Sequence, residues 1–294
     1  MTQETVIADK GTVFLVKHRT DFLYGDPVIS SANTLHLEPH DFRFQKNLSA
    51  FVKVLPATNL KRFEDLFGNI THHFEVTAPH TRLEIESSVK VRNLPLKISN
   101  TGYSGGMEFF NAPEIQERCW QFLHESRWVS VEQYLWKQAI DLTLDIDPVF
   151  EKTSAIMRWI YTEFTYEPGS TDVNTHLEQA FNGRKGVCQD FAHIMIGMCR
   201  ALGIPARYTS GYIYTGEGND LVGSQASHAW CEVYLPEDGW VGFDPTNAVL
   251  ADDRYIKIAV GRDYEDVAPI RGTYRGSADC KMEVTVNVKR LETP

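Results

Sequence analysis

Cysteine is scarce in this sequence: five in 294 residues, an odd number and with no CxxC spacing. That usage speaks against a disulfide scaffold. Long apolar runs are absent too, and no stretch reaches the length a bilayer span needs. Met1-Thr2-Gln3-Glu4-Thr5 lacks a basic region followed by an apolar core, so no signal peptide is expected and the cytoplasm is the expected compartment. Positive charge is in deficit, with 29 Lys and Arg against 39 Asp and Glu and a formal net charge of −10. That balance argues against nucleic acid or an anionic membrane as the main partner. Asp141, Asp145 and Asp147 lack the calcium-loop pattern, and the sequence has neither an internal repeat nor a low-complexity tract. The Asn47-Leu48-Ser49 and Asn69-Ile70-Thr71 glycosylation patterns read as chance matches without a secretion signal.

What is present suits a globular protein. Hydrophobic residues make up 43% and charged residues 23%, enough for a sizeable core and for about two domains at ~150 residues each. Residues 1–98 read as a β domain. In 82–92, Leu83, Ile85, Val89 and Val91 alternate with charged residues, the period of a half-buried strand. Several such runs separated by turn residues predict a small sandwich. Residues 99–147 read as a linker region, glycine-rich at 101–106 and helical over 113–141, with Cys119, Trp120, Phe122, Leu123 and Trp136 as packing residues. Residues 148–294 read as an α+β core with a C-terminal strand. Asp147-Pro148 predicts a helix start, and Thr175 to Glu178 has capping-box spacing. The stretch 188–202 carries Phe191, Ile194, Met195, Met198, Cys199 and Leu202 as a stripe at helical period. Strands are predicted at 206–214, 226–235, 240–243 and 280–288.

Within that core, Cys188 follows Gly186 at the start of the striped helix. Unpaired amides and a partial positive charge at a helix start favour a thiolate and can hold an oxyanion. His228 and Trp230 share one strand face, while Ala229 and Cys231 share the other. Pro236 to Gly239 is a strong turn, so the strand carrying His228 pairs with the one leading to Asp244. Opposing Tyr234 to Trp240 sets Asp244 diagonal to His228 on the same face; opposing Leu235 to Trp240 separates them. Singly, each residue has a plainer role: a core cysteine, a backbone-bonded histidine, a turn aspartate before Pro245. Jointly they form a nucleophile, a base and an orienting carboxylate. A zinc site from Cys188, His193, His228 and Cys231 fits poorly. Five residues apart on a helix and three apart on a strand do not share a face, so His193 reads as a packing residue.

Three pieces of this region, residues 186–193, 227–233 and 239–247, resemble the transglutaminase-like superfamily of cysteine acyltransferases and proteases. Residues 18–24, 65–69 and 260–264 extend the resemblance to a bacterial subgroup with an N-terminal β domain. The resemblance implies a papain-like α+β core, a catalytic helix packed on an antiparallel sheet, with an N-terminal β-sandwich-like domain. It implies Cys188 as nucleophile, His228 as base then acid, and Asp244 as orienter, acting on a peptide or protein amide through a thioester. No cofactor or metal is implied. Tyr166 is the side-chain candidate for a second oxyanion donor, beside the backbone of Cys188. Amine-transferring crosslinking is the alternative reaction. A binding or scaffold protein with an idle site is the alternative from another class.

Overall fold

The computed structural model describes residues 11–97, 106–170, 176–216, 221–222, 227–276 and 279–292. The alternating N-terminal runs form six strands: β1 (Thr12–Val28), β2 (Ser30–Glu38), β3 (Gln45–Leu55), β4 (Lys61–Glu64), β5 (Ile70–Val76) and β6 (His80–Asn93). They divide between two sheets. Val28, Leu35, Phe74, Leu83 and Ile85 fill the space between them at 4% exposure or less, so burying one face of each strand makes the sandwich.

The helical elements follow: α1 (Pro113–Cys119), α2 (Gln133–Thr143), α3 (Val149–Glu163), α4 (Leu177–Gly183) and α5 (Cys188–Ala201), with the short parallel pair β7 (Thr165–Tyr166) and β8 (Lys185–Gly186) between them. Next come β9 (Ala206–Ile213), β10 (His228–Leu235), β11 (Gly239–Asp244), β12 (Val249–Leu250) and β13 (Tyr255–Gly261). These five make an antiparallel sheet in the order β12-β11-β10-β9-β13. Ala229, Cys231, Val233 and Leu235 on β10 share one core with α5. A single buried stripe was expected on that helix. Instead every residue from Asp190 to Arg200 is buried, because the sheet covers one side and α2, α3 and α4 the others.

Three expectations need correction. First, the described part of the expected linker region, 106–147, packs on the core. Leu135 and Ala139 of α2 are fully buried against the core, and a Cβ at Gly197 of α5 would lie 2.9 Å from Leu135 Cδ1. Nor is 113–141 one helix. The His124 carbonyl accepts from Arg200, and the Trp128 N–H donates to Asp263, which takes that backbone out of helical bonding. Second, Trp120 and Trp136 are 59% and 48% exposed rather than packed. Third, the C-terminal strands do not join the core sheet. After α6 (Tyr264–Val267), β14 (Ile270–Arg275) pairs with β2, and β15 (Cys280–Leu291) pairs with β1 along its length. Alternation marks a strand but not its partner. The glycine-rich 101–105 and Thr175 lie outside the described residues, and α4 starts at Leu177 after an N-cap at His176.

Strand β13 is an edge of the core sheet, and the sandwich caps it with amide side chains. Gln45 donates to the Lys257 carbonyl and accepts from its N–H at 2.7 and 2.8 Å. Asn69 does the same for Val260 at 2.8 Å each way, and Asn93 donates to the Asp253 and Tyr255 carbonyls. Edge strands need such protection. The turn 65–69 aims Asn69 at β13, with Asp65 accepting from both the backbone and the side chain of Asn69. Nearby, the Tyr212 hydroxyl of β9 and buried His18 of β1 are hydrogen bonded at 2.8 Å. Replacing Asn69 by Ala strands two buried backbone groups. We expect a loss of about 2–4 kcal/mol, read as a lower midpoint in thermal unfolding; an unchanged midpoint would contradict this account of the interface.

Candidate active site

Strand β8 delivers the chain to α5. Tyr166 pairs with Gly186 in the β7–β8 ladder, and the Val187 N–H donates to Asp190 Oδ2 at 2.8 Å, closing the first turn. A Cβ at Gly186 would come within 2.6 Å of that carboxylate oxygen, so glycine is needed there. Cys188 is the first residue of α5 and is partly buried.

The β10–β11 register opposes Tyr234 to Trp240, the pairing that places His228 and Asp244 on one face. His228 Nε2 lies 2.8 Å from Asp244 Oδ2, and neither side chain has any solvent exposure. The carboxylate is held from several sides. Oδ2 also accepts from Asn247 Nδ2 and from the Tyr255 hydroxyl, each at 2.7 Å, and Oδ1 accepts from the Thr246 N–H at 2.8 Å. Burial opposes ionisation of Asp244. The His228 charge and the hydrogen bonds from His228, Asn247 and Tyr255 outweigh it and hold the pKa below the ordinary carboxylate value.

The other imidazole nitrogen, Nδ1, is buried on the side of Cys188. Cys188 lies against this ring. Burial disfavours the imidazolium, but the charges of Asp244 and Cys188 and hydrogen bonding to both raise the His228 pKa to about 10. His228 opens β10 and Cys188 opens α5, so the two meet at one end of the sheet. Tyr166 is half-buried nearby. Burial first, then the charges of Cys188 and Asp244, lift its phenol to about 12, so it is a neutral O–H donor at pH 7.

The structure thus brings Cys188, His228, Asp244 and Tyr166 together, and leaves the other residues weighed for zinc apart. His193 Nε2 accepts from the Tyr264 N–H in the core. Cys231 faces α5 from the opposite side of β10 to His228. Among the described residues no cluster of three or more His, Cys, Asp or Glu is arranged to hold a metal. Sequence reasoning missed Asn247 and Tyr255. Asn247 lies three residues past Asp244 in a turn whose Asp-to-N–H bond is a common local pattern. Tyr255 reaches Asp244 only because β13 lies beside β9, and it carries no local signal.

Comparison with known proteins agrees with this architecture. The model of the transglutaminase-like superfamily core matches residues 137–245, and that of the bacterial transglutaminase-like N-terminal region matches residues 14–92. An uncharacterized protein of Mycobacterium tuberculosis (strain ATCC 25618 / H37Rv) is 34% identical, with 95% of this chain and 93% of that protein covered. A protein-glutamine gamma-glutamyltransferase of Pseudomonas aeruginosa is 36% identical over 38% of this chain and 18% of its own length. A crystal structure from Cytophaga hutchinsonii, described as a candidate cysteine protease, superposes with a TM-score of 0.80 at 25% identity, covering 97% of this chain and 92% of that one. Among the described residues no helix is long and apolar enough to cross a membrane. By sequence, sandwich and core alike, the chain belongs to the transglutaminase-like superfamily, with that superfamily's bacterial N-terminal region.

Proposed function

We propose that the protein is a cysteine peptidase or amidase that opens an amide or isopeptide bond through a thioester on Cys188. The observation that carries this is the fully buried His228–Asp244 pair at 2.8 Å, with the second imidazole nitrogen left for the thiol. In this mechanism the Cys188 sulfur attacks the substrate carbonyl and its proton resides on His228 Nδ1. The Cys188 backbone N–H at the helix start and the Tyr166 hydroxyl steady the oxyanion. His228 then protonates the departing amine and the thioester forms. Water, deprotonated by His228, attacks the thioester and releases the acid and the free thiol. Asp244 keeps the ring in one tautomer and stabilises its positive form.

The likeness to the Cytophaga hutchinsonii structure favours hydrolysis. Transfer to an amine in place of water needs the same thioester, and the partial match to the gamma-glutamyltransferase favours that second reading. Casein incubated with and without dansylcadaverine tests both, with peptide release, ammonia release and label incorporation followed in parallel. Whichever signal appears is expected to vanish in Cys188→Ala. An undiminished signal in that variant would remove Cys188 from the reaction.

A further inference from the structure

We propose that β15 is a self-pairing edge, at which two copies of this chain join antiparallel into one continuous sheet. Nothing in this depends on the chemistry at Cys188.

An uncovered edge strand invites another chain, and proteins usually shorten, bend or cover it. The other edges of the three larger sheets are treated in that way. Strands β12, β4 and β14 are two, four and six residues long. Strand β3 shifts register between Asn47 and Ser49, and β13 is capped by Gln45, Asn69 and Asn93. Strand β15 differs. It ends the sheet β15-β1-β6-β3, and its 12 residues pair with β1 from Leu291–Val13 to Cys280–Tyr24 without a shift. It holds neither proline nor glycine, and its far side pairs with no strand among the described residues. The backbone N–H and C=O groups on that side can pair with an incoming strand.

The side chains specify which strand. Met282, Val284, Val286 and Val288 lie across from Phe22, Thr20, His18 and Val16 of β1, yet Met282 is 58% and Val284 40% exposed. Lys281, Glu283, Thr285, Asn287 and Lys289 alternate with them on the other face. Opposed residues in an antiparallel pair share a face. A twofold axis through Val286 therefore sets Val284 against the partner's Val288, and Thr285 against the partner's Asn287. It also sets Glu283 against the partner's Lys289, twice by symmetry. An axis through Thr285 opposes Lys281 to the partner's Lys289 instead, and axes through Val284 or Asn287 form no opposite-charge pair within the strand. Lysine on an edge ordinarily deters pairing; about Val286, Lys289 meets a carboxylate. Within one copy Lys281 meets Oε1 of Glu283 at 2.6 Å, and a carboxylate has room for a second cation. The strand is thus complementary to itself in charge and in apolar face, which selects a second copy as its partner. Such a pairing closes on itself and uses up both β15 edges.

Sedimentation velocity of the full chain over a range of concentrations tests this. We expect a monomer–dimer equilibrium. Glu283→Lys opposes lysine to lysine at two places across the axis and is expected to raise the dissociation constant at least about tenfold. In its own sheet position 283 lies across from Asp21, so a lysine there suits the fold, as circular dichroism will check. Glu283→Lys combined with Lys289→Glu restores both opposite-charge pairs and is expected to recover wild-type dimerisation. A monomer at every concentration, a dimer that Glu283→Lys leaves as tight as wild type, or one that the double exchange fails to recover would each overturn the proposal.

Discussion

Iodoacetamide is expected to alkylate Cys188 at pH 6 about a hundredfold faster in the wild-type protein than in His228→Ala, as read by peptide mass spectrometry. An unpaired cysteine titrates near ~8.5, so at pH 6 less than about 1% of such a thiol is the reactive thiolate. His228 changes this because its own proton is held up to about pH 10 by Asp244 and Cys188 against the cost of burial. A protonated imidazole beside the sulfur stabilises the negative charge that develops there as the thiol gives up its proton. The wild-type rate is therefore expected to exceed the variant's from pH 6 to pH 9. The same shift enters folding stability. His228 binds its proton more tightly in the folded protein than at its ordinary value of 6.5, so its contribution is complete below that pH and fades as pH rises towards 10. Superposed alkylation profiles for the two proteins would dissolve the pairing and leave the idle-scaffold reading.

Gly211→Ala is expected to produce the largest loss of stability among simple substitutions near the site. Gly211 sits on β9 between its two neighbours, opposite His228 on β10 and Lys257 on β13. A Cβ there would stand 2.1 Å from the Ile256 carbonyl oxygen and 2.7 Å from the Trp230 ring. The carbonyl belongs to a paired strand and cannot swing away as a side-chain tip can. The ring is locked between His228 and Tyr255, with centroids 6.2 and 5.3 Å away. Overpacking of this kind costs about 3 kcal/mol, a fall of about 5 °C in the unfolding midpoint for a chain of this size. Because Tyr255 and His228 hold Asp244, the alkylation rate of Cys188 should fall as well. A midpoint within a degree or two of wild type would mean that β13 can move aside freely.

Much of the site was legible before any coordinates. Cys188, His228 and Asp244 are set by local signals: a glycine ahead of an apolar-striped helix, a strand of period two, and a turn that reverses the chain. The hairpin register followed from requiring His228 and Asp244 on one face, and the Tyr234–Trp240 pairing meets it. The sandwich was legible in the same way, since alternation along β6 names its buried face without reference to a partner strand. Legibility failed wherever a residue's role depends on something distant in sequence. Trp120 and Trp136 are apolar and were expected to pack, yet the broken helix leaves them exposed.

The sequence by itself determined the alternating strands such as β6, the start of α5 at Cys188, and the hairpin that brings the His228 imidazole to the Asp244 carboxylate. Periodicity, capping and turn chemistry act over a few residues, and a reader of the sequence sees all of those residues at once. Only the tertiary structure decided that the last two strands return to complete the sandwich, and that Gln45, Asn69 and Asn93 seal the edge of β13. The same holds for Tyr255, which reaches across to Asp244. Each of these joins segments far apart along the chain. Their pairing is set by the competition of whole surfaces for burial and hydrogen bonds, which no local pattern records.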